Sequence, residues 1–293
     1  MNRHHPSRIR LSYNKRRAPR PEFVSKAKAV SRLYRRGGTT IGDVILLPLY
    51  FECDESRAVQ EEKVTKQQAL IGEWWLEPGT GDQSMEDEHG DFWDDFLANA
   101  IDVNFTGKKL LDFGCNQGGL LRRIYTETKF REAVGVDLAE KSIAVANARK
   151  GSVPVKYFAL NSLESLDTDF DFAISTAVIY LISDIADHAR QMFDRLQPGG
   201  IYFAGHVDYV TDPKYNYTRA TIDKHAAIKC ADNNLDDIVS AFESARFKVY
   251  VKRLIPSGYI PVPISTNNKW YRSATDEIDY WYNHRYSFRC VKP

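Results

Sequence analysis

The chain has 293 residues, 43% of them hydrophobic, enough for one full α/β core with decorations or a core and a small second lobe. Its longest apolar run, Val44 to Phe51, is far shorter than the roughly 20 residues of a membrane span. Four cysteines, at 53, 115, 230 and 290, show neither a CxxC pair nor metal-ligand spacing, which argues against structural zinc and fits a reducing, cytoplasmic setting.

The net charge of +1 hides two opposed blocks. Residues 1–36 carry 12 Lys or Arg against the single Glu22, and residues 52–95 carry 14 acidic residues against Arg57, Lys63 and Lys66. Residues 1–24, with Pro6, Pro19 and Pro21 and few apolar side chains, are expected to be a disordered basic arm. Three readings of that arm stay open: a tail that is solvated or folds back on the acidic block, a holder of nucleic-acid phosphates, or an organelle-targeting segment. Residues 96–293 are near neutral at +2, with no basic stripe, so nucleic acid is not the favoured partner.

Residues 25–90 read as an N-terminal helical extension, with helices expected over 25–36 and 58–75 and a flexible joint at Pro78-Gly-Thr-Gly81. A catalytic domain is expected over 91–293. It opens with an amphipathic helix over 91–101, apolar at 92, 93, 96, 97, 100 and 101. Strands then follow at 110–113, 133–136, 155–160, 172–175 and 201–205, with helical segments between them. Such alternation predicts an α/β fold with a doubly wound, mostly parallel sheet. A last helix at 235–245 and closing strands at 249–254 and 286–291 complete it.

The chemistry is concentrated in Leu110-Leu-Asp-Phe-Gly-Cys-Asn-Gln-Gly-Gly119, followed by Val134-Gly-Val-Asp137. Gly114 to Gly119 turn the chain from a buried strand into a helix whose free N–H groups favour polar or anionic ligand groups. Asp137, at the end of the second strand, is placed to accept both hydroxyls of a ribose. Asp112, before the first glycine, repels a pyrophosphate and attracts an ammonium. Leu196-Gln-Pro-Gly-Gly200 precedes the fifth strand.

On these residues the chain resembles the class I S-adenosylmethionine-dependent methyltransferases, over roughly residues 91–293. The resemblance implies a seven-stranded Rossmann-like methyltransferase sheet with an antiparallel last strand, and S-adenosyl-L-methionine as cofactor. It places Asp112, Gly114, Asn116 and Gly118 on the methionine side of that cofactor, and Cys115 in the same cofactor-binding turn reads as a small residue that fills it, with a reactive thiol as the alternative. Asp137 would meet the ribose, Leu138 the adenine face, Asn161 and Ser162 the adenine edge, and Thr176 the segment passing under the cofactor. Two positions depart from the pattern: Asn116 stands where a glycine is usual, and Asn161 where an Asp is usual.

Two insertions, 207–234 and 256–284, are rich in tyrosine and tryptophan and are expected to form a substrate lid; packing among themselves is the alternative. Trp74 and Trp75 carry the same ambiguity. Methyl transfer chiefly requires positioning, and a base only where the acceptor carries a proton to lose. His206 is the first candidate base, with Tyr180 and His225 behind it, and no metal is expected. The function read from the sequence is methylation of O or N of a small molecule. The alternatives are an RNA or protein methyltransferase using the basic arm, and a non-catalytic cofactor-binding partner protein.

Overall fold

The computed structural model describes residues 68–260 and 270–293. The basic arm, the helix expected over 25–36 and most of that expected over 58–75 lie outside the described residues.

Seven strands form one sheet: β1 (Lys109–Phe113), β2 (Glu132–Asp137), β3 (Val155–Ala159), β4 (Phe170–Ser175), β5 (Leu196–Val207), β6 (Lys248–Arg253) and β7 (Arg285–Val291). Their order is β3-β2-β1-β4-β5-β7-β6. β1 runs parallel to β2 and β4, with Leu111 beside Val134 and Leu110 beside Phe172, while β7 runs antiparallel to both β5 and β6. This is the doubly wound sheet with an antiparallel last strand that the strand pattern and the resemblance imply.

Both faces are covered. On one, Phe96 and Ala100 of α2 (Gly90–Ala100), Leu120, Leu121 and Ile124 of α3 (Gly119–Thr128), and Ile143 and Ala146 of α4 (Glu140–Arg149) pack on Leu110, Ile174 and Phe203. On the other, α5 (Ile185–Arg195) and α7 (Leu235–Ser244) bury Met192 and Phe242 against Leu111, Ala173 and Tyr202. Asp184 caps α5, and Asn234 with Asp237 forms a reciprocal cap at the start of α7, which fixes where each helix begins.

Three segments differ from their sequence-based expectation. Residues 68–75 are extended rather than helical: Ile71 bridges Ala139, Trp75 bridges Ala226, and the Asp82 carboxylate accepts from the backbone N–H of both Trp74 and Trp75. Tertiary pairing here overrides local propensity. The joint at 78–81 leads directly into a helix, α1 (Gly81–Glu88). The Leu196–Gly200 turn is part of β5, where Leu196 pairs with Phe170 and Ile201 with Phe172, so the intervening residues bulge out of register, with Gly199 at φ 78°.

Each insertion builds a helix of its own, α6 (Asn216–His225) in the first and α8 (Ala274–Asn283) in the second. They meet in a third apolar cluster of Trp75, Leu181, Tyr209, Tyr215, Ile222 and Tyr280. Among the described residues no helix is long and apolar enough to cross a membrane.

Candidate cofactor and acceptor cleft

Where β1, β2 and β4 end at their carboxyl edge, the chain leaves an open cleft. Its floor is the turn after β1. Gly114 and Cys115 donate backbone N–H groups to the Val136 carbonyl at 2.8 and 3.0 Å, and Gly118 N–H to the Cys115 carbonyl at 2.8 Å. Gly114 has φ +76°, and a Cβ there would stand 2.3 Å from Val178, so only glycine fits. Asn116 has φ +45°, a left-handed backbone that asparagine tolerates better than other side chains, which accounts for Asn at the usual glycine position.

The Asp137 carboxylate holds this turn from β2: Oδ2 accepts from the Asn116 N–H at 2.8 Å and Oδ1 from the Ala139 N–H at 2.9 Å. A carboxylate has about four acceptor positions, so lone pairs remain for a ligand. Burial pushes its carboxyl above the ordinary carboxylate range, against those N–H bonds. Asp112 is more strained electrostatically. It is 1% exposed, its Oδ2 has no protein partner, and burial, reinforced by the Asp137 charge, pushes its carboxyl up to about 8. Such a group gains much from a cation placed against it.

Of the residues singled out in the sequence, Asp112, Gly114, Cys115, Asn116, Asp137, Leu138, Thr176 and Tyr180 line the cleft. Cys115 is buried, and burial raises its thiol pKa, so it is a poor nucleophile and serves as turn filling. Gly118 does not line the cleft; it starts α3 at φ 77° and its carbonyl accepts from the Tyr157 hydroxyl at 3.0 Å. Asn161 and Ser162 also stand outside the lining. Ser162 Oγ instead accepts from the Glu164 N–H at 3.2 Å.

The base candidates separate in the same way. His206 is 2% exposed beside Phe288, outside the cleft lining, and burial lowers its pKa to about 4. His225 packs its ring on Trp75, its centroid 5.5 Å away, and is also outside the lining. Neither histidine is among the residues that line the cleft. Tyr180 lines the cleft, and burial raises its phenol pKa above the ordinary tyrosine value.

The sequence reading missed the roof. Gln68, Ile71 and Trp74 line the cleft from the extended segment, Glu86 from α1, Trp93 from α2, and His89 from the junction between those helices. The apolar pair Phe92-Trp93 was legible as the inner stripe of a helix, but its placement over the turn comes from tertiary packing alone. Of the two adjacent tryptophans, Trp74 faces the cleft and Trp75 is fully buried in the third cluster. Among the described residues, no lysine or arginine lines the cleft, while Glu86, Asp112 and Asp137 do. That charge balance disfavours a diphosphate.

A cluster with metal-ligand geometry, Asp212, Asp279 and His284, lies outside the cleft lining. The Lys214 ammonium already bridges its two carboxylates.

Residues 85–217 match the family model of a methyltransferase domain. The chain is 28% identical over 152 residues to the ubiquinone biosynthesis O-methyltransferase of Pseudomonas fluorescens, an alignment covering 50% of this chain and 62% of that one. It is 34% identical over 102 residues to the protein of the same name from Paramagnetospirillum magneticum, covering 33% and 40%. The chain thus spans less than two thirds of these relatives' length. Among solved structures it is similar to a chain in the complex between the Haloferax volcanii Trm112 methyltransferase activator and a methyltransferase, with TM-score 0.58 and 18% identity over 72% of this chain and 93% of that one. It is also similar to Haemonchus contortus phosphoethanolamine N-methyltransferase 2, solved with phosphomonomethylethanolamine and S-adenosylhomocysteine. There the TM-score is 0.51 and the identity 20%, over 70% and 53% of the two chains. With the sheet order and the antiparallel β7, the chain has the Rossmann-like fold of the class I S-adenosylmethionine-dependent methyltransferases, and its residues 85–217 match a methyltransferase domain.

Proposed function

We propose that the chain transfers a methyl group from S-adenosyl-L-methionine to an oxygen or nitrogen of a small aromatic molecule. The observation that carries this reading is the pairing, in one cleft, of a buried unpartnered carboxylate oxygen on Asp112 with an aromatic and aliphatic outer wall of Trp74, Tyr180, Leu181 and Ile228.

The residues fit the cofactor's groups. Asp112 Oδ2 and Asn116 Oδ1 are buried acceptors without protein partners, suited to an ammonium, and Asp137 keeps lone pairs for ribose hydroxyls. Leu138 offers an apolar edge for the adenine. Asn161 and Ser162 would have to close onto that edge from outside the present lining. When bound, S-adenosylmethionine supplies a methyl made electrophilic by its sulfonium sulfur. The chain's own part is positioning: the β1 turn holds the donor end, and Thr176 to Ile182 set the floor along which the acceptor lies. The described parts of the two insertions, α6 and α8, act as the lid together with the aromatic cluster that continues from Tyr180 and Trp74.

Phenolic acceptors are favoured by the aromatic wall and by the relatives named for ubiquinone biosynthesis. The thiols of Cys115, Cys230 and Cys290 are free, which supports a reducing, cytoplasmic setting. The test is incubation of the full chain with S-adenosylmethionine and a panel of phenols, catechols and aromatic amines, reading S-adenosylhomocysteine formed. Turnover on at least one aromatic acceptor is expected. Turnover only on RNA or protein, or tight cofactor binding with no product on any acceptor, would overturn the small-molecule assignment.

A further inference from the structure

The cleft contains a third unpartnered acceptor that the methyl-donor motifs do not account for. Glu86, near the end of α1, lines the cleft with its Oε2 buried and without a hydrogen-bond partner. Its other oxygen, Oε1, is held by the Arg122 guanidinium of α3, with Arg149 3.8 Å away. The carboxylate is thereby fixed in direction, one oxygen tied back to protein and the other left over.

Its place over the β1 turn is enforced by Gly119. A Cβ on that residue would come within 2.4 Å of the Trp93 ring and 3.1 Å of Glu86 Cδ. The roof helices therefore press on the first turn of α3, at the end of the same Gly114–Gly119 segment that carries Asn116 and follows Asp112. Three residues of one cleft lining, Glu86, Asp112 and Asn116, thus each carry a buried acceptor oxygen without a protein partner, Oε2, Oδ2 and Oδ1, and among the described residues no lysine or arginine joins that lining. An ammonium carries three N–H donors and no acceptor, and matches this set in number and charge.

Resting on the cofactor assignment above, we infer that Glu86 is a positioning residue for the donor: its Oε2 joins Asp112 and Asn116 in a three-oxygen cradle for the amino group of S-adenosylmethionine. The roof then senses the amino-acid end of the cofactor, and Glu86 separates donors that carry an α-amino group from nucleosides that lack it.

The test compares two probes by calorimetry on the full chain: S-adenosylhomocysteine, which carries the amino group, and 5′-methylthioadenosine, which does not. Glu86→Gln keeps the shape and an oxygen toward Arg122 while removing the charge. The expected result is about a tenfold or greater loss of affinity for S-adenosylhomocysteine and less than about a twofold change for methylthioadenosine. Arg122→Met removes the ion pair but keeps the carboxylate, and is expected to retain the wild-type preference between the two probes. Equal losses for both probes in Glu86→Gln, reproduced by Arg122→Met, would make Glu86 a structural brace and overturn the inference, as would no loss for either. Wild-type chain that binds methylthioadenosine and S-adenosylhomocysteine equally overturns the cradle while leaving the nucleoside site standing. Wild-type chain that binds neither overturns the cofactor assignment itself.

Discussion

At the scale of single residues, Asp112 is the group whose ionisation the ligand should control. Burial and the neighbouring Asp137 place its carboxyl at about 8 in the free protein, so near neutral pH it is largely protonated, and an ammonium laid against it favours the ionised form. Binding of S-adenosylhomocysteine is therefore predicted to release a proton at pH 7 and to tighten as pH rises toward 8. Titrations in buffers of different ionisation enthalpy check this, and an observed enthalpy independent of buffer would contradict it. The sign for stability is opposite. A carboxyl raised from its ordinary value of about 3.8 favours the folded state below that pH and loses the contribution as pH rises through 8. Asp112→Asn should thus stabilise the free protein at pH 9, by on the order of 3 kcal/mol, while weakening the ligand. Urea unfolding at pH 5 and pH 9 separates the two conditions, and a gain equal at both would remove the electrostatic cause.

Asp137→Ala removes the acceptor proposed for the ribose hydroxyls and also frees the Asn116 and Ala139 N–H groups. A loss of about 1 to 3 kcal/mol in S-adenosylhomocysteine affinity is predicted, read by calorimetry; unchanged affinity would take Asp137 out of the site. Both carboxylates were legible in the sequence because each sits at a fixed step from a glycine turn or a strand end. The histidines were not. His206 ends a strand at the right edge of the sheet, yet it pairs with Tyr286 and is buried beside Phe288, a placement that only the β5–β7 register decides.

At the scale of elements, the extended segment 68–77 is held in place by one side chain, Asp82. Asp82 accepts from the Trp74 N–H at 3.2 Å, from the Trp75 N–H at 2.8 Å, and from the Ser142 hydroxyl. It joins the segment to α4, while the Ile71 N–H to Leu138 carbonyl bond and the Leu76 N–H to His225 carbonyl bond tie down its two ends. Asp82→Ala leaves three donors unpaired and is predicted to cost about 2 to 4 kcal/mol. Limited proteolysis should then cut first between residues 68 and 80, and an unchanged cleavage pattern would contradict that role. The strands and α2, α3 and α7 were legible because their apolar spacing matches their burial. The 68–75 segment was not, because its apolar residues are spaced as if helical while its backbone partners lie some 70 and 150 residues further along the chain.

At the scale of the whole molecule, every group assigned to the cleft lies between Gln68 and Ile228, and Lys63–Pro293 forms one compact unit. A fragment of residues 63–293 is therefore predicted to bind S-adenosylhomocysteine within about twofold of the full chain and to keep turnover on an aromatic acceptor. Parallel assays of both forms check this. Loss of turnover with retained cofactor binding would favour the basic arm as a tether for a macromolecular acceptor. The sheet order could be inferred from the sequence because alternating strands and helices permit few topologies. The roof could not, because nothing local marks Glu86 or Trp93 as neighbours of Gly119.

The central proposal is electrostatic: a cleft lined by Glu86, Asp112 and Asp137, with no Lys or Arg in its lining among the described residues, is expected to accept a nucleoside bearing an amino acid and to refuse a dinucleotide. Titrating the full chain side by side with S-adenosylhomocysteine and NADH at pH 7.5 tests it most directly. The account predicts one-to-one binding of S-adenosylhomocysteine and no heat from NADH; saturable binding of NADH with none of S-adenosylhomocysteine would contradict it.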